Sequence, residues 1–442
     1  MPNPTRRPSR PVVLERDHAR PRSLPAPTTD QFDAQLTLLV YPVALGLRDR
    51  FRGQGYRERI LTLPVMVGIL LSLVWRQIPS VAEVKRVLGR ESLLWVAPTT
   101  VSQQAISDRL ETMPAELFGA VWQELAPVLQ QRAAGRPHFH AEVLQTLAPC
   151  YARVWVLDSS RLEAVFKKTG AVRGTAHKVL GGTLTAVLDL GSHLPVQVWV
   201  DPSPTVNDRT YVDLLLPHIP ADTILVLDRG FNGYASFDAV TDHGGVVVGR
   251  WTANWAADLI QTLPTPTGIV DQLVQVGKYR SNPCRHRLRR IGQQRGGQWQ
   301  WWVTTELNPQ RLSAEQVIAL YAQRWRIEEA FLQIKRLLNL SYLWGSSANA
   351  VALQVWTTVL LYGVLIDLCG ELGMALGVPA ERISVEMTYR SLYHYARACQ
   401  QGETRELVGW LSDPKQADLG LVKRQRKRSN PDSVARTTDL NL

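Results

Sequence analysis

The spacing of apolar residues divides the chain into three regions. From 31 to 145, apolar residues recur at helical intervals with few β-branched runs, which predicts a helical domain. From 150 to 345, short apolar runs between turn residues predict strands, followed by a long helix. From 346 to 415 the helical spacing returns. The pattern therefore predicts an α/β core between N-terminal and C-terminal helical regions.

Five apolar runs predict the strands of this core. Two of them are almost continuously apolar and end on Asp158 and Asp228, which is typical of buried strands lying side by side. The predicted order is β-β-β-α-β-α-β. Its strands are Arg153–Asp158, Gly182–Asp189, Pro195–Asp201, Thr223–Asp228 and Gly245–Gly249, and its helices are Asp208–Leu216 and Tyr234–Asp242.

The segment after the fifth strand has a different composition. Residues 250–308 are rich in turn-forming residues, aromatics and arginine, which predicts a β-rich insertion. Leu312–Leu338 then has the spacing of one long helix.

The N-terminal region predicts three short helices in succession, at Ser80–Leu88, Val101–Thr112 and Ala115–Leu129. Thr99 and Thr100 are candidate caps of the second helix. The arrangement is compatible with a helix-turn-helix module that reads DNA, and equally with an ordinary small helical domain. Candidates for base or phosphate contacts would be Gln103, Gln104, Ser107 and Arg109.

The long predicted helix carries a polar face beside an apolar one. At about 100° per residue, four polar side chains project within an arc of about 60°. They are Tyr321, Arg324, Glu328 and Lys335, and the apolar stripe beside them is Ile327, Phe331, Ile334 and Leu338. Glu329 points away from this face. Such a face is either a solvated surface with i,i+4 ion pairs or part of a site.

The two strand-terminal aspartates favour a site. Asp158, Asp228 and Glu328 can converge at one edge of the sheet, and three carboxylates that close stay ionised only around cations. Two Mg²⁺ ions about 3.5–4 Å apart are the usual partners of such carboxylates in phosphoryl transfer, and Mn²⁺ also favours oxygen ligands. The alternative is that each aspartate only caps a turn or helix.

Composition adds a polyanionic partner to this picture. The 442 residues carry a net charge of +11, and the basic tails at 1–30 and 416–442 hold much of it. The first 30 residues are rich in proline and arginine and are expected to be disordered. Four cysteines without paired spacing favour a reducing compartment, no signal peptide is evident, and the apolar stretches are short or interrupted for membrane spans. A cytoplasmic, nucleoid-associated protein is therefore expected.

The insertion contains a basic segment without acidic residues. It could form a groove that follows DNA phosphates, or it could be a solvated hairpin. The possible DNA contacts are Lys278, Arg280, Arg285, Arg287, Arg289, Arg290 and Arg295, with Trp299 and Trp301 close behind them.

These motifs together resemble the DDE transposases of bacterial insertion sequences, in the group called family four. The segment YAQRWRIEEAFLQIK carries that group's Tyr-x2-Arg-x3-Glu-x6-Lys signature, and WVLDSSRLE and LVLDRGF match its two aspartate motifs. The resemblance covers about 150–345. It implies a ribonuclease-H-like catalytic core with a β-rich insertion.

The resemblance also implies roles for the site residues. Asp158, Asp228 and Glu328 would be the catalytic, metal-binding triad, and Tyr321, Arg324 and Lys335 would hold DNA phosphates. Some members of the group stack a flipped base on a tryptophan of the insertion. Here that position falls near Gln300, between Trp299 and Trp301, so the stacking residue stays unassigned.

The function that this resemblance implies is a Mg²⁺-dependent DNA transposase. It would bind the terminal inverted repeats of its element, cut the ends and join the 3′-hydroxyls to target DNA by a cut-and-paste route. The resemblance implies a homodimer or larger complex that pairs two double-stranded ends. The alternatives are a catalytically inactive DNA-binding relative and a ribonuclease-H-like nuclease without strand transfer.

Overall fold

The computed structural model describes residues 30–423 apart from 54, 56–58, 137–141, 163–181, 204–205, 278–282, 341–344 and 346. Within that part of the chain the centre is a single nine-stranded sheet. Its strands are β1 (Arg153–Arg161), β2 (Thr183–Asp189), β3 (Pro195–Asp201), β4 (Thr223–Leu227), β5 (Val246–Arg250), β6 (Ala257–Leu263), β7 (Ile269–Val276), β8 (Leu288–Arg295) and β9 (Gln298–Thr304).

The order of the strands is β3-β2-β1-β4-β5-β9-β8-β7-β6. Strands β1, β4 and β5 are parallel neighbours, while β2 and β3 form an antiparallel hairpin beside β1. This is the ribonuclease-H-like arrangement, and it confirms the predicted fold class. The predicted insertion is also β-rich, and it extends the same sheet because β9 pairs antiparallel with β5.

The helices lie before, between and after these strands. They are α1 (Asp30–Gly46), α2 (Arg48–Gly53), α3 (Leu63–Trp75), α4 (Val81–Leu88), α5 (Gln103–Thr112), α6 (Ala115–Ala134), α7 (Glu142–Leu147), α8 (Arg209–Leu215), α9 (Tyr234–Asp242), α10 (Ala314–Ala322), α11 (Trp325–Leu340), α12 (Ala348–Leu376), α13 (Val385–Gln400) and α14 (Leu407–Leu411).

The central strands are apolar on both faces because each face is covered by helices. Val156 and Val226 belong to a core formed with the N-terminal and C-terminal helices. Leu157 and Leu227 belong to a second core on the opposite face, formed with α8 and α9. The side chains of β1 and β4 thus alternate between two cores, which explains their continuous apolar runs.

The N-terminal and C-terminal helical regions pack against each other. The long helix α12 lies along α6, where Gly363 leaves room for the ring of Trp122 and Gly119 for the ring of Trp356. Asp367 of α12 is 1% exposed and pairs with Arg132 of α6 at 2.9 Å. Among the described residues α12 is the one helix long and apolar enough to cross a membrane, but 67% of its most apolar window is buried inside the protein. It is a core helix.

The N-terminal helices differ from the expectation in two details. The cap of α5 is Ser102, whose hydroxyl accepts a hydrogen bond from the Ala105 amide at 3.0 Å, and not Thr99 or Thr100. The connection from α4 to α5 spans 89–102 and contains the bridge between Leu93 and Val96, so it is longer than the tight turn of about three to four residues in a helix-turn-helix. The DNA-reading function of this region stays a prediction.

Two predictions near the site are wrong in their boundaries. The single helix expected over 312–338 is two helices, because the chain makes a turn at Gln323 and Arg324 between α10 and α11. Strand β1 does not end at Asp158 but continues to Arg161, since β2 pairs with its last residues.

The tails lie mostly outside the described residues. Residues 1–29 and 424–442 are not among the described residues. The beginning of the predicted C-terminal tail is packed, since Pro414–Leu419 forms a 3₁₀ turn and Val422 pairs with Ile383.

Candidate active site

The two aspartates come from neighbouring parallel strands. Leu157 of β1 is in register with Leu227 of β4, so Asp158 and Asp228 are the next residues on the two strands. Asp228 follows the last residue of β4 and precedes a 3₁₀ turn, Arg229–Phe231. The sheet therefore places both carboxylates side by side on neighbouring parallel strands, at the level where β4 ends.

The third carboxylate comes from the helices that cross this edge. Helix α10 begins with a capping box in which Ser313 and Gln316 bond each other's backbone amides. Helix α11 packs on β1 and β2 through Ile327 and Phe331, which are 1% and 4% exposed. This packing turns Glu328 toward the aspartates.

Arg324 lies at the centre of the three carboxylates. Its three guanidinium nitrogens each face a different acid. Nη1 is 3.1 Å from Asp158 Oδ2, Nη2 is 2.7 Å from Glu328 Oε1, and Nε is 3.8 Å from Asp228 Oδ1. Burial alone would lower the pKa of the Arg324 guanidinium, but the surrounding carboxylates raise it above its ordinary value. Arg324 is therefore a permanently charged group that links all three acids.

Tyr321 and Lys335 complete the predicted polar face. The Tyr321 hydroxyl donates a hydrogen bond to Asp228 Oδ1 at 3.2 Å, and burial together with this carboxylate raises the pKa of the phenol. The Lys335 ammonium donates to the Ser160 hydroxyl at 2.6 Å, and burial lowers its pKa. The structure thus brings the four signature residues together despite the break between the helices, because the break is itself a single tight turn.

Asp158 is the carboxylate with the most perturbed proton affinity. Burial raises its pKa to about 6, although the Ser159 amide and Arg324 act in the opposite direction. The charges of Asp228 and Glu328 add to the rise. The site therefore holds more negative charge than Arg324 alone balances.

The donor set fits a divalent cation. Three carboxylates are hard oxygen ligands of the kind that Mg²⁺ and Mn²⁺ prefer, and their mutual repulsion would be relieved by a dication. Within the described ranges, no three acidic, histidine or cysteine side chains are grouped closely enough to hold a metal directly. The triad is instead spread around the Arg324 fork.

Strand β9 of the insertion presents aromatic residues on both of its faces. Trp299 and Trp301 stack on one face, with ring centroids 5.4 Å apart, and Trp299 is 45% exposed. The guanidinium of Arg290 lies 4.5 Å from the centroid of Trp301. Gly292 faces Trp301 across the strand pair, where any Cβ would come within 2.5 Å of the ring. The result is a flat aromatic and cationic surface.

Arg250 is a residue that the sequence analysis missed. It ends β5, and its guanidinium lies 4.8 Å from the ring centroid of Trp302 and 5.8 Å from that of Tyr321. Burial lowers its pKa, and the nearby Arg229 and Arg295 lower it further. The available signal was an arginine directly after the apolar run next to the Asp228 strand.

The basic residues of the insertion lie in different environments. Arg289 is fully buried and forms an ion pair with Asp271, so the prediction that it contacts DNA is wrong. Arg285 pairs with Asp242 on the surface. Arg287 and Arg295 are exposed, whereas Lys278 and Arg280 lie outside the described residues.

The neighbouring glutamate of α11 is separate from the site. Glu329 is half exposed and pairs with Arg326 and Lys423. It provides a natural control for Glu328.

The fold and the site define a ribonuclease-H-like α/β protein with three carboxylates at one sheet edge. Residues 152–364 match the family model described as "Transposase DDE domain", and Asp158, Asp228 and Glu328 all lie within them. The match covers slightly less than half of the chain, and it shows that this part is similar to transposase DDE domains. A search of curated proteins found no match. A solved structure of a piggyBac transposase synaptic complex with hairpin DNA is similar at 12% identity, covering 94% of this chain and 91% of the other with a TM-score of 0.41.

Proposed function

We propose that the protein is a DNA transposase of the insertion-sequence group with the Tyr-Arg-Glu-Lys signature. It binds the terminal inverted repeats of its element, cuts the ends by metal-dependent hydrolysis and joins the 3′-hydroxyls to target DNA. The observation that carries the proposal is the convergence of Asp158, Asp228 and Glu328 around one guanidinium. The similarity of residues 152–364 to a transposase DDE domain supports it.

The three carboxylates are the residues that would hold Mg²⁺, or Mn²⁺ in its place. Bound divalent ions supply an activated nucleophile and stabilise the leaving oxygen of a phosphodiester. With a pKa near 6, Asp158 is mostly ionised at neutral pH and can act as a ligand.

The hydrogen-bond donors around the triad are suited to hold the DNA backbone. Tyr321 can donate a hydrogen bond from its hydroxyl, Lys335 carries a point charge, and Arg324 can donate two parallel hydrogen bonds. Phosphate oxygens can accept hydrogen bonds from each of these groups. Arg250 is a further candidate, because its surroundings include Arg229, Arg295 and the Tyr321 ring. The stacked Trp299 and Trp301 offer faces on which unpaired bases can stack.

The protein would act in the bacterial cytoplasm on nucleoid DNA. Because transposition joins two ends, the working assembly would be a homodimer or larger synaptic complex.

The test is cleavage of double-stranded DNA that carries the element's own ends, with Mg²⁺ present. Glu328→Gln should abolish cutting and spare the DNA affinity measured without divalent metal, because it removes a metal ligand and not a phosphate contact. The same result is expected for Asp158→Asn and Asp228→Asn. The matched control is Glu329→Gln, which changes the next residue of the same helix and should cut normally.

Two results would count against the proposal. Equal losses in Glu328→Gln and Glu329→Gln would show that the loss does not come from the triad. Wild-type protein that binds the ends and leaves them intact with Mg²⁺ or Mn²⁺ would indicate a DNA-binding protein without turnover.

A further inference from the structure

The position between the three carboxylates is occupied by a residue of the chain itself. Arg324 is 9% exposed, and its three nitrogens point at three different acids. A cation bound by the same carboxylates would have to share this space with the guanidinium or displace it.

The fit of Arg324 in this position is incomplete. Its Nε is buried without a hydrogen-bond partner, because the closest oxygen of Asp228 is 3.8 Å away. One positive charge also faces three carboxylates, so Arg324 cannot balance all of their charge. A buried donor that lacks a partner costs free energy, which makes an alternative position for this side chain accessible.

The surroundings of Arg324 provide such a position. The residue lies in the turn between α10 and α11, and not inside either helix. Its guanidinium is 5.6 Å from the ring centroid of Trp325, which is 64% exposed, and 6.0 Å from that of Tyr321. A guanidinium that moves along these rings toward solvent keeps aromatic contacts and reaches a surface where a DNA phosphate can accept two hydrogen bonds.

We propose that Arg324 is an internal counter-ion that competes with the divalent metal for the three carboxylates, and that DNA phosphate releases it. The inference rests on the proposed function, since it assumes that the triad binds metal. Its consequence is an order of loading: the free protein binds metal weakly, and DNA binding opens the metal site. Because coupling between two ligands is reciprocal, metal strengthens DNA binding by the same factor.

The test is a titration of the full-length protein with Mn²⁺, in which free Mn²⁺ is followed by its electron paramagnetic resonance signal. Without DNA, Arg324→Gln should bind Mn²⁺ about tenfold more tightly than wild type, because charge-assisted hydrogen bonds no longer compete. Arg324→Lys keeps the charge but has one nitrogen, and should lie between the two. The matched control is Arg326→Gln, which removes a charge nearby on α11 from a pair with Glu329 and Glu381 and should behave as wild type.

A second titration adds a short DNA duplex. It should raise the Mn²⁺ affinity of wild type by a larger factor than that of Arg324→Gln, with the Mn²⁺ bound to DNA itself subtracted using Glu328→Gln protein. If Arg324→Gln and wild type bind Mn²⁺ equally without DNA, the inference is overturned and the metal site stands. If neither binds more Mn²⁺ than Glu328→Gln, with or without DNA, the metal site and the proposed function fail together.

Discussion

The ionised side chain of Asp158 should destabilise the folded protein. Its side chain is 16% exposed, and burial raises its pKa from 3.8 to about 6. The folded state therefore holds the proton more tightly than the unfolded chain does. Relative to a neutral side chain, stability is lost as the pH rises from about 4 to about 6, and the loss remains above that range.

The magnitude follows from the size of the shift. A rise of the pKa from 3.8 to about 6 corresponds to a loss of about 3 kcal/mol in the free energy of unfolding. The full loss applies at a pH above both pKa values. Asparagine has nearly the same shape and is neutral at every pH. Asp158→Asn should therefore be more stable than wild type by up to about 3 kcal/mol at pH 7–8, and the difference should shrink toward zero near pH 4.

The assay is urea unfolding of wild type and Asp158→Asn at intervals between pH 4.5 and 8. The control is Glu329→Gln, which should show no comparable pH-dependent gain because Glu329 is half exposed. A variant that is less stable than wild type at pH 8, or a difference that does not change with pH, would refute the reasoning. It would mean that the hydrogen bond to Arg324 outweighs the cost of burying the charge.

Three further predictions concern packing and the insertion. Arg289→Met should destabilise the protein by about 3–5 kcal/mol in urea unfolding, because it leaves the buried Asp271 unpaired. The double variant Arg289→Met with Asp271→Leu should recover most of this loss. A single variant as stable as wild type would contradict the prediction. Gly363→Ala should cost about 1–3 kcal/mol in the same assay, since its Cβ would come within 2.5 Å of Trp122, and a stabilised variant would be the opposite result. Trp299→Ala should weaken DNA binding by about 1–3 kcal/mol in fluorescence anisotropy, because a base can no longer stack on the ring. The stability of the protein should not change, because the ring is exposed. An unchanged DNA affinity would show that Trp299 does not contact DNA.

The strands of the core could be predicted because a strand that is buried on both faces is almost continuously apolar in sequence. The apolar runs before Asp158 and Asp228 indicated neighbouring buried strands, and the structure has them in parallel register. The spacing of Tyr321, Arg324 and Glu328 indicated a shared face, and these residues do meet. The helical spacing still brings them together because the break between α10 and α11 is only two residues long.

The features that could not be predicted depend on contacts between distant residues. The burial of Arg289 requires Asp271 on the adjacent strand, and a run of arginines has the same composition whether it is solvated or paired. The turn at Gln323 and Arg324 contains no glycine or proline that would indicate a break. The central position of Arg324 follows from this turn together with the approach of two strands, which no pattern within one helix contains.

The most direct measurement of the proposed function is the joining of a pre-cut, labelled transposon end to a plasmid target in Mg²⁺. The account predicts that wild type and Glu329→Gln transfer the label to the plasmid and that Glu328→Gln binds the end without transferring it. Wild-type protein that cuts intact ends but never joins pre-cut ones would contradict it and identify a nuclease that shares the fold.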